Sequence, residues 1–483
     1  MRKLLSTLLL ATLISATLPI VTLANTIISN EAKEHIMAEL NRANIPNAAI
    51  AILQGGEITY ILKGSNQDAL FPIGSVTKSF TGFGVLLLED MGLLSVSDPV
   101  RQHLPWFEVR YNGEFVPHED ITIYNLLQHT SGFTSDERRF PSTVNELSQG
   151  EFIEQLRGIE LAFYPSQGHM YGNVNYMILG LLIEAVSGQS YDDFITQNVL
   201  HPLGLYNTFT NWQRAYATGR AVDGHRYGLF RPRRTDAQWA SLTVPTGEGV
   251  YSSISDMVHW AKIQLGDIDV NEQLARIIAR SHENNHTTQN PFAELDFVYA
   301  AGWGVSGEGF IQHVGSTMGG ISAVWIVPED DLAVVILSNL RQNVAPWVFM
   351  VLDVVNEGEL NSIGADANFI LDIIFVGLTA IGVLFIGLLI RLVVKVGKRM
   401  HSEENVKSKL KIRWLFGLLP SIIGLLFFYV VAPMLFAMPL GTLLIFSPAS
   451  TFTAFVAMWI MMVYSVLSLL TKILVAGGQR TTK

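Results

Sequence analysis

The chain contains no cysteine. Thiol nucleophiles, thiolate zinc sites and iron–sulfur clusters are thereby excluded, and no disulfide braces any part of it. There is no internal repeat and no low-complexity tract. Charge is absent over two long stretches near the C-terminus. Residues 373–390 carry none, and no charged residue follows Arg413 until Lys472. At about 1.5 Å per residue the first run reaches roughly 27 Å, close to the ~30 Å hydrocarbon core of a bilayer. The second is long enough for two spans, with Pro439, Gly441, Ser447 and Pro448 marking a turn region between them. We read three transmembrane helices, at about 369–392, 414–436 and 451–471. A buried soluble helix pair is the competing interpretation, though exposed apolar runs of this length are rare outside membranes.

What is present at the N-terminus complements this. Arg2 and Lys3 precede a mostly apolar run over 4–13, and the small residues Thr22 and Ala24 are spaced for cleavage after Ala24. That is the layout of a secretory signal peptide over 1–24; an uncleaved anchor is the alternative. Either way the following domain is exported. The basic residues agree. The segment 391–413 holds Arg391, Lys395, Lys398, Arg399, Lys407, Lys409, Lys411 and Arg413, the tail holds Lys472, Arg480 and Lys483, and the loop near 438–450 has none. The positive-inside rule puts the 391–413 loop and the tail in the cytoplasm, and three spans then place the large domain outside. The net charge of −10 argues against a nucleic-acid partner.

Four segments follow: signal peptide 1–24, exported domain 25–355, linker 356–368 rich in Gly, Asn, Ser and acids, and membrane module 369–483. In the exported domain, apolar strands at 49–53 and 58–62 flank Gly55-Gly56, a hairpin signal. A helix is expected from near Ser75 to about Met91, capped by Gly92. From about Ser95 to Asn211 the pattern is mostly helical with turns, including 152–157 and 174–186. Beyond Ala221 strand signals return, at 310–314, 320–327 and 332–338, with a turn over 328–331. Strands at both ends and helices between them predict an α+β domain: one antiparallel sheet flanked by helices and completed by both ends of the domain, with an inserted helical region and a cleft at the junction.

Three clusters can do chemistry. Ser75 and Lys78 lie three apart at a helix start, which puts both side chains on one face, about 5–6 Å apart at Cβ. A serine hydroxyl is a weak nucleophile until a base takes its proton, and a lysine can do so when burial and neighbouring positive charge lower its pKa. Alone, S-x-x-K is a weak signal, equally compatible with an N-cap serine and a solvated lysine. The second cluster is Tyr171-Gly172-Asn173, at the start of a helix. A tyrosine near cations can share proton transfer, and an asparagine can donate to a substrate carbonyl and hold the lysine; a buried aromatic beside a turn asparagine is the plainer alternative. The third is His313-Val314-Gly315-Ser316 on a strand, where Gly315 permits close approach of substrate backbone and the Ser316 N–H offers a second oxyanion donor.

In this order and at these separations the clusters resemble the signature set of serine β-lactamases and penicillin-binding proteins, S-x-x-K, Y-x-N and K-T-G or a variant. The class C β-lactamase branch, with its esterase and D-aminopeptidase relatives, matches best. The stretches 126–132 (LLQHTSG), 201–205 (HPLGL) and 302–304 (GWG) resemble it too, and the likeness covers about Asn30 to Asn339. The resemblance implies a serine hydrolase with the β-lactamase/transpeptidase-like fold, and with these roles. Ser75 attacks a carbonyl and forms an acyl-enzyme. Lys78 and Tyr171 share the acid and base steps. Asn173 orients Lys78 and the substrate amide. The N–H groups of Ser75 and Ser316 form the oxyanion hole. His313, Gly315 and Ser316 line the substrate site, and no metal or other cofactor is implied. His313 replaces the family's lysine and is only partly charged near neutral pH, which favours a peptidase or esterase over an efficient β-lactamase.

The expectation is therefore a multi-pass protein of the bacterial cell membrane whose extracytoplasmic domain acts on a small-molecule or peptide substrate, such as a cell-wall D-amino-acid peptide. A binding or sensor protein that kept the fold for ligand recognition, with a protein partner for the membrane module, is the alternative from another class. Two further motifs are set aside. His282-Glu283-Asn284-Asn285-His286 matches the zinc-protease H-E-x-x-H, but that motif needs a helix and this composition favours a loop. His129 sits in the HTSG stretch after a helix and before a turn, a structural placement to which we assign no catalysis.

Overall fold

The computed structural model describes residues 28–133, 149–228, 231–235, 249–283 and 297–356, with Gly358, Leu360, Arg391 and Leu467 beyond them. The signal segment, nearly all of the linker and, apart from Arg391 and Leu467, the three expected membrane helices lie outside the described residues. Among the described residues no helix is long and apolar enough to cross a membrane.

The frame is a seven-stranded antiparallel sheet made by the two ends of the domain. Strands β1 (Ala48–Gln54) and β2 (Glu57–Lys63) come from the N-terminal end. Strands β3 (Phe297–Tyr299), β4 (Gly304–Ser306), β5 (Ile311–Thr317), β6 (Gly320–Val327) and β7 (Leu332–Ser338) come from the C-terminal end, and the order is β3-β4-β5-β6-β7-β1-β2. The expected hairpin is present: Gln54 faces Glu57, and Gly55 and Gly56 both have positive φ, at 58° and 78°. A two-residue loop with both residues left-handed matches the twist of its strands, and glycine takes that conformation without a Cβ clash. The closure between the ends is the β1–β7 pairing, with Ala48 opposite Ser338 and Gln54 opposite Leu332.

Both faces of the sheet are covered, which explains why its central strands read as unbroken apolar runs. Ala49, Ala51 and Leu53 enter one core, and Ala48, Ile50 and Ile52 enter the other. Helices Asn30–Arg42 and Ala345–Asn356 cover the second face, through Ile36, Leu40, Trp347 and Val351. The first face packs on Thr77–Asp90, Ile254–Leu265 and Glu272–Ser281, through Phe80, Phe83, Trp260 and Ile277. The sequence pattern left four of these helices unassigned. Helix Asn30–Arg42 does carry its own signals, an N-cap in which Ser29 Oγ accepts from Ala32 N at 3.1 Å and the Ile36/Leu40 spacing.

The inserted region is less helical than expected. Beside helices Ile123–Leu127 and Asn173–Ser187 it holds a small sheet of Val109–Tyr111, Glu114–Phe115 and Ile159–Glu160. These strands are two or three residues long, too short for a period-two pattern to register. The H-E-x-x-H stretch does not begin on a helix: Glu272–Ser281 ends before it, and His282 is the C-cap residue, its ring bonded to Gln264 Oε1 at 2.8 Å. Residues 284–286 lie outside the described residues.

Candidate active site

The first face of the sheet, the start of one helix and the start of another meet at one point. We call Thr77–Asp90 α1 and Asn173–Ser187 α2. Ser75 lies in the 3-10 turn Gly74–Val76 that leads into α1, and Lys78 is the second residue of that helix. The local spacing does what it predicts: Lys78 Nζ donates to Ser75 Oγ at 3.0 Å. Asn173 opens α2, and its Oδ1 accepts from the same Nζ at 2.7 Å. Both Ser75 and Lys78 are buried, Lys78 completely. The ammonium position also lies 5.0 Å from the centre of the Tyr171 ring and 5.7 Å from that of Tyr176. These distances suit cation–π attraction and leave room for proton exchange among a small set of groups.

Strand β5 approaches from the other side. Gly74 has φ +50°, and a side-chain carbon on it would sit 2.8 Å from Ser316 N. One on Gly315 would sit 2.1 Å from Ile73 O. The turn bearing Ser75 and the strand segment 315–316 thus touch backbone to backbone, which only glycine allows. Ser322 Oγ donates to Ile73 O at 2.6 Å and pins β6 to the same turn. All seven residues singled out in the sequence (Ser75, Lys78, Tyr171, Asn173, His313, Gly315 and Ser316) are therefore gathered in one place.

His313 differs from its expected character. Its Nδ1 donates to the Val314 carbonyl at 2.8 Å, which leaves Nε2 to accept from Tyr299 OH, also at 2.8 Å. Burial, and secondarily the Lys78 charge, holds its pKa down to about 3. It is neutral at physiological pH rather than partly charged, because the strand turns it inward to the core where the sequence offered no sign of direction. Folding stability should record this. As pH falls through the ordinary histidine value near 6.5, the unfolded chain gains a proton that the folded chain refuses. Stability then declines until about pH 3 and levels off below. Each pH unit in that window costs up to about 1.4 kcal/mol. Urea unfolding at pH 7 and pH 5 should show His313→Gln losing about 2 kcal/mol less than the wild type. Equal losses would mean that His313 is not held neutral.

The structure adds residues that sequence reasoning left out. His129, His169, Tyr176 and Tyr299 complete a ring-rich wall around Lys78. His129 lies 4.4 Å from the Tyr171 ring and 4.5 Å from the Tyr299 ring, centre to centre, and 5.3 Å from Tyr176. Tyr176 OH donates to Leu127 O at 3.0 Å. The HTSG stretch was a usable signal for His129; Tyr299 sits in no local motif. Among the described residues no group of His, Asp or Glu side chains is arranged to hold a metal ion.

A family model described as Beta-lactamase matches residues 32–350. Protein flp of Staphylococcus aureus (strain MW2) is 29% identical over 337 residues, covering 66% of this chain and 65% of that protein. Penicillin-binding protein 4* of Bacillus subtilis (strain 168) is 30% identical over 201 residues, 38% of this chain and 41% of that protein. The chain thus spans about two thirds of the flp protein and less of the second relative. Among solved structures, the octameric penicillin-binding protein homologue from Pyrococcus abyssi superposes with a TM-score of 0.56 at 22% identity. The match covers 67% of this chain and 76% of that one, a likeness of fold.

Proposed function

The chain belongs to the beta-lactamase family, of the serine β-lactamase and penicillin-binding-protein type, and from that premise we propose that it is a serine hydrolase working through an acyl-enzyme on Ser75. One observation carries this: a single buried lysine nitrogen reaches both the Ser75 hydroxyl and the Asn173 carbonyl oxygen. In its neutral form Lys78 takes the Ser75 proton as Oγ adds to the substrate carbonyl. The resulting oxyanion is received by the N–H groups of Ser75 and Ser316. Tyr171, beside the same nitrogen, passes a proton to the leaving group, and water then reverses the sequence to free the acyl product. Asn173 keeps the lysine in place and offers its amide to the substrate. The substrate is a peptide amide or ester, such as a cell-wall D-amino-acid peptide. A neutral His313 brings no charge to a carboxylate beside the scissile bond, which favours amides and esters that lack one there over penicillins.

In the same proposal, segment 1–24 exports the domain 25–355, the linker 356–368 leads to the membrane module 369–483, and its three helices hold the domain at the outer face of a bacterial cell membrane. The distribution of Lys and Arg supports this orientation. A membrane-impermeant fluorophosphonate probe applied to intact cells tests both parts. Labelling of the full chain on intact cells is expected. Labelling only after lysis would refute the outward placement, and none in either sample would refute the hydrolase.

A further inference from the structure

We propose that His129 is a positioning residue for this chemistry, its ring fixing the turn that sets Tyr171 and Asn173 against Lys78. The inference rests on the hydrolase proposal above. His129 is a non-glycine residue with φ +57°, wholly buried. Left-handed backbone costs an ordinary residue roughly 1–2 kcal/mol and persists where the surroundings impose it. Here they do. The segment 129–132 grips the segment leading to Tyr171 at three backbone points: Met170 N–H to His129 O at 2.9 Å, Ser166 N–H to Thr130 O at 2.8 Å, and Ala162 N–H to Gly132 O at 2.7 Å.

The His129 ring adds a fourth point at the place that matters. Its Nδ1 accepts from Gly172 N–H at 3.4 Å and from Asn175 Nδ2 at 3.0 Å. Gly172 stands between Tyr171 and Asn173 and is the N-cap of α2, without a side chain to cap it. Asn175 closes the loop, its Nδ2 also donating to Gly172 O at 3.2 Å and its Oδ1 accepting from Ser131 Oγ. With Nδ1 accepting twice, the ring proton is on Nε2, and that atom is buried with no hydrogen-bond partner among the described residues. An orphaned buried N–H costs about 1–3 kcal/mol. A leucine or phenylalanine filler would carry no such cost. What histidine offers in return is the Nδ1 acceptor under Gly172 together with a flat face against Tyr171.

Two substitutions separate positioning from filling. His129→Asn tolerates the left-handed backbone and carries an acceptor oxygen where Nδ1 lies, whereas His129→Leu keeps bulk without an acceptor. On the full chain, His129→Leu should lower kcat for a p-nitrophenyl ester, and the rate of fluorophosphonate labelling, by about 10²-fold, the usual effect of displacing catalytic groups by ~1 Å. KM should move by less than about threefold, and His129→Asn should recover most of the loss. Leu and Asn variants that lose rate equally, or a Leu variant as fast as the wild type, would overturn the proposal. A wild-type chain that takes no label overturns the hydrolase and this proposal together; normal labelling in the Leu variant overturns this one alone. Should the Leu variant fail to fold, nitrogen NMR of the wild-type histidines decides. An unprotonated His129 Nδ1 is expected, and a protonated one would refute the clamp.

Discussion

Ser75→Ala should take no covalent probe and should lose turnover by on the order of 10⁵-fold or more, the scale seen when a serine nucleophile is deleted. Among the described residues, the neighbouring buried serine hydroxyls are committed to other partners. Ser79 lies one helical turn on, but its Oγ donates to Val76 O at 2.8 Å and accepts from Trp260 Nε1 at 3.3 Å. Ser322 Oγ is committed to Ile73 O. The change removes one oxygen and one hydrogen bond from Lys78, so it should alter stability by only about 1 kcal/mol. Probe labelling, turnover and a thermal melt on the full chain check it. Undiminished labelling of the folded variant would move the nucleophile elsewhere and undo the assignment.

Lys78→Met should lower the acylation rate by about 10³-fold or more while the protein remains folded. Methionine has nearly the length of lysine, and the rings of Tyr171 and Tyr176 at 5.0 and 5.7 Å from the nitrogen position would accept a thioether well. Replacing a fully buried ionisable side chain by an apolar one of similar volume is often neutral or stabilising. Activity and stability should therefore part company: acylation, measured as the burst of p-nitrophenol, falls steeply while the melting temperature holds or rises. A variant retaining a tenth or more of the wild-type burst rate would show that another group takes the Ser75 proton.

The parts of this site that were legible in the sequence are those fixed by short-range geometry. Ser75 and Lys78 lie three positions apart at a helix start, and that spacing alone brings Nζ to Oγ. The Gly55-Gly56 hairpin and the strands 320–327 and 332–338 were equally local, one set by a turn that glycine makes without strain and the others by unbroken apolar runs. Helices Ile254–Leu265 and Glu272–Ser281 were missed in a region read as strands, although both carry local signals: N-caps at Ser253 and Asn271, a left-handed Gly266 after the first, and Leu274, Ile277 and Ile278 on one buried face of the second.

The parts of the candidate site could be read from the chain alone: a serine with a lysine one turn away, a tyrosine–asparagine pair, and a glycine-containing strand. The sequence by itself also determined which chemistries the absence of cysteine forbids. How these parts act on one another depends on long-range packing. Lys78 and Asn173 meet across 95 positions, and β1 finds β7 across nearly the whole domain. Solvent access and neighbouring charge, which set protonation, are likewise properties of the packed site. His313 as a residue type is a group that titrates near neutrality. Buried beside Lys78 and bonded to Tyr299 and Val314, it is a neutral one. His129 looked like part of a turn, and the fold put its ring beneath the residue joining Tyr171 to Asn173. Spacing along a helix is written in the chain, but burial and long-range contact exist only once distant segments have packed together.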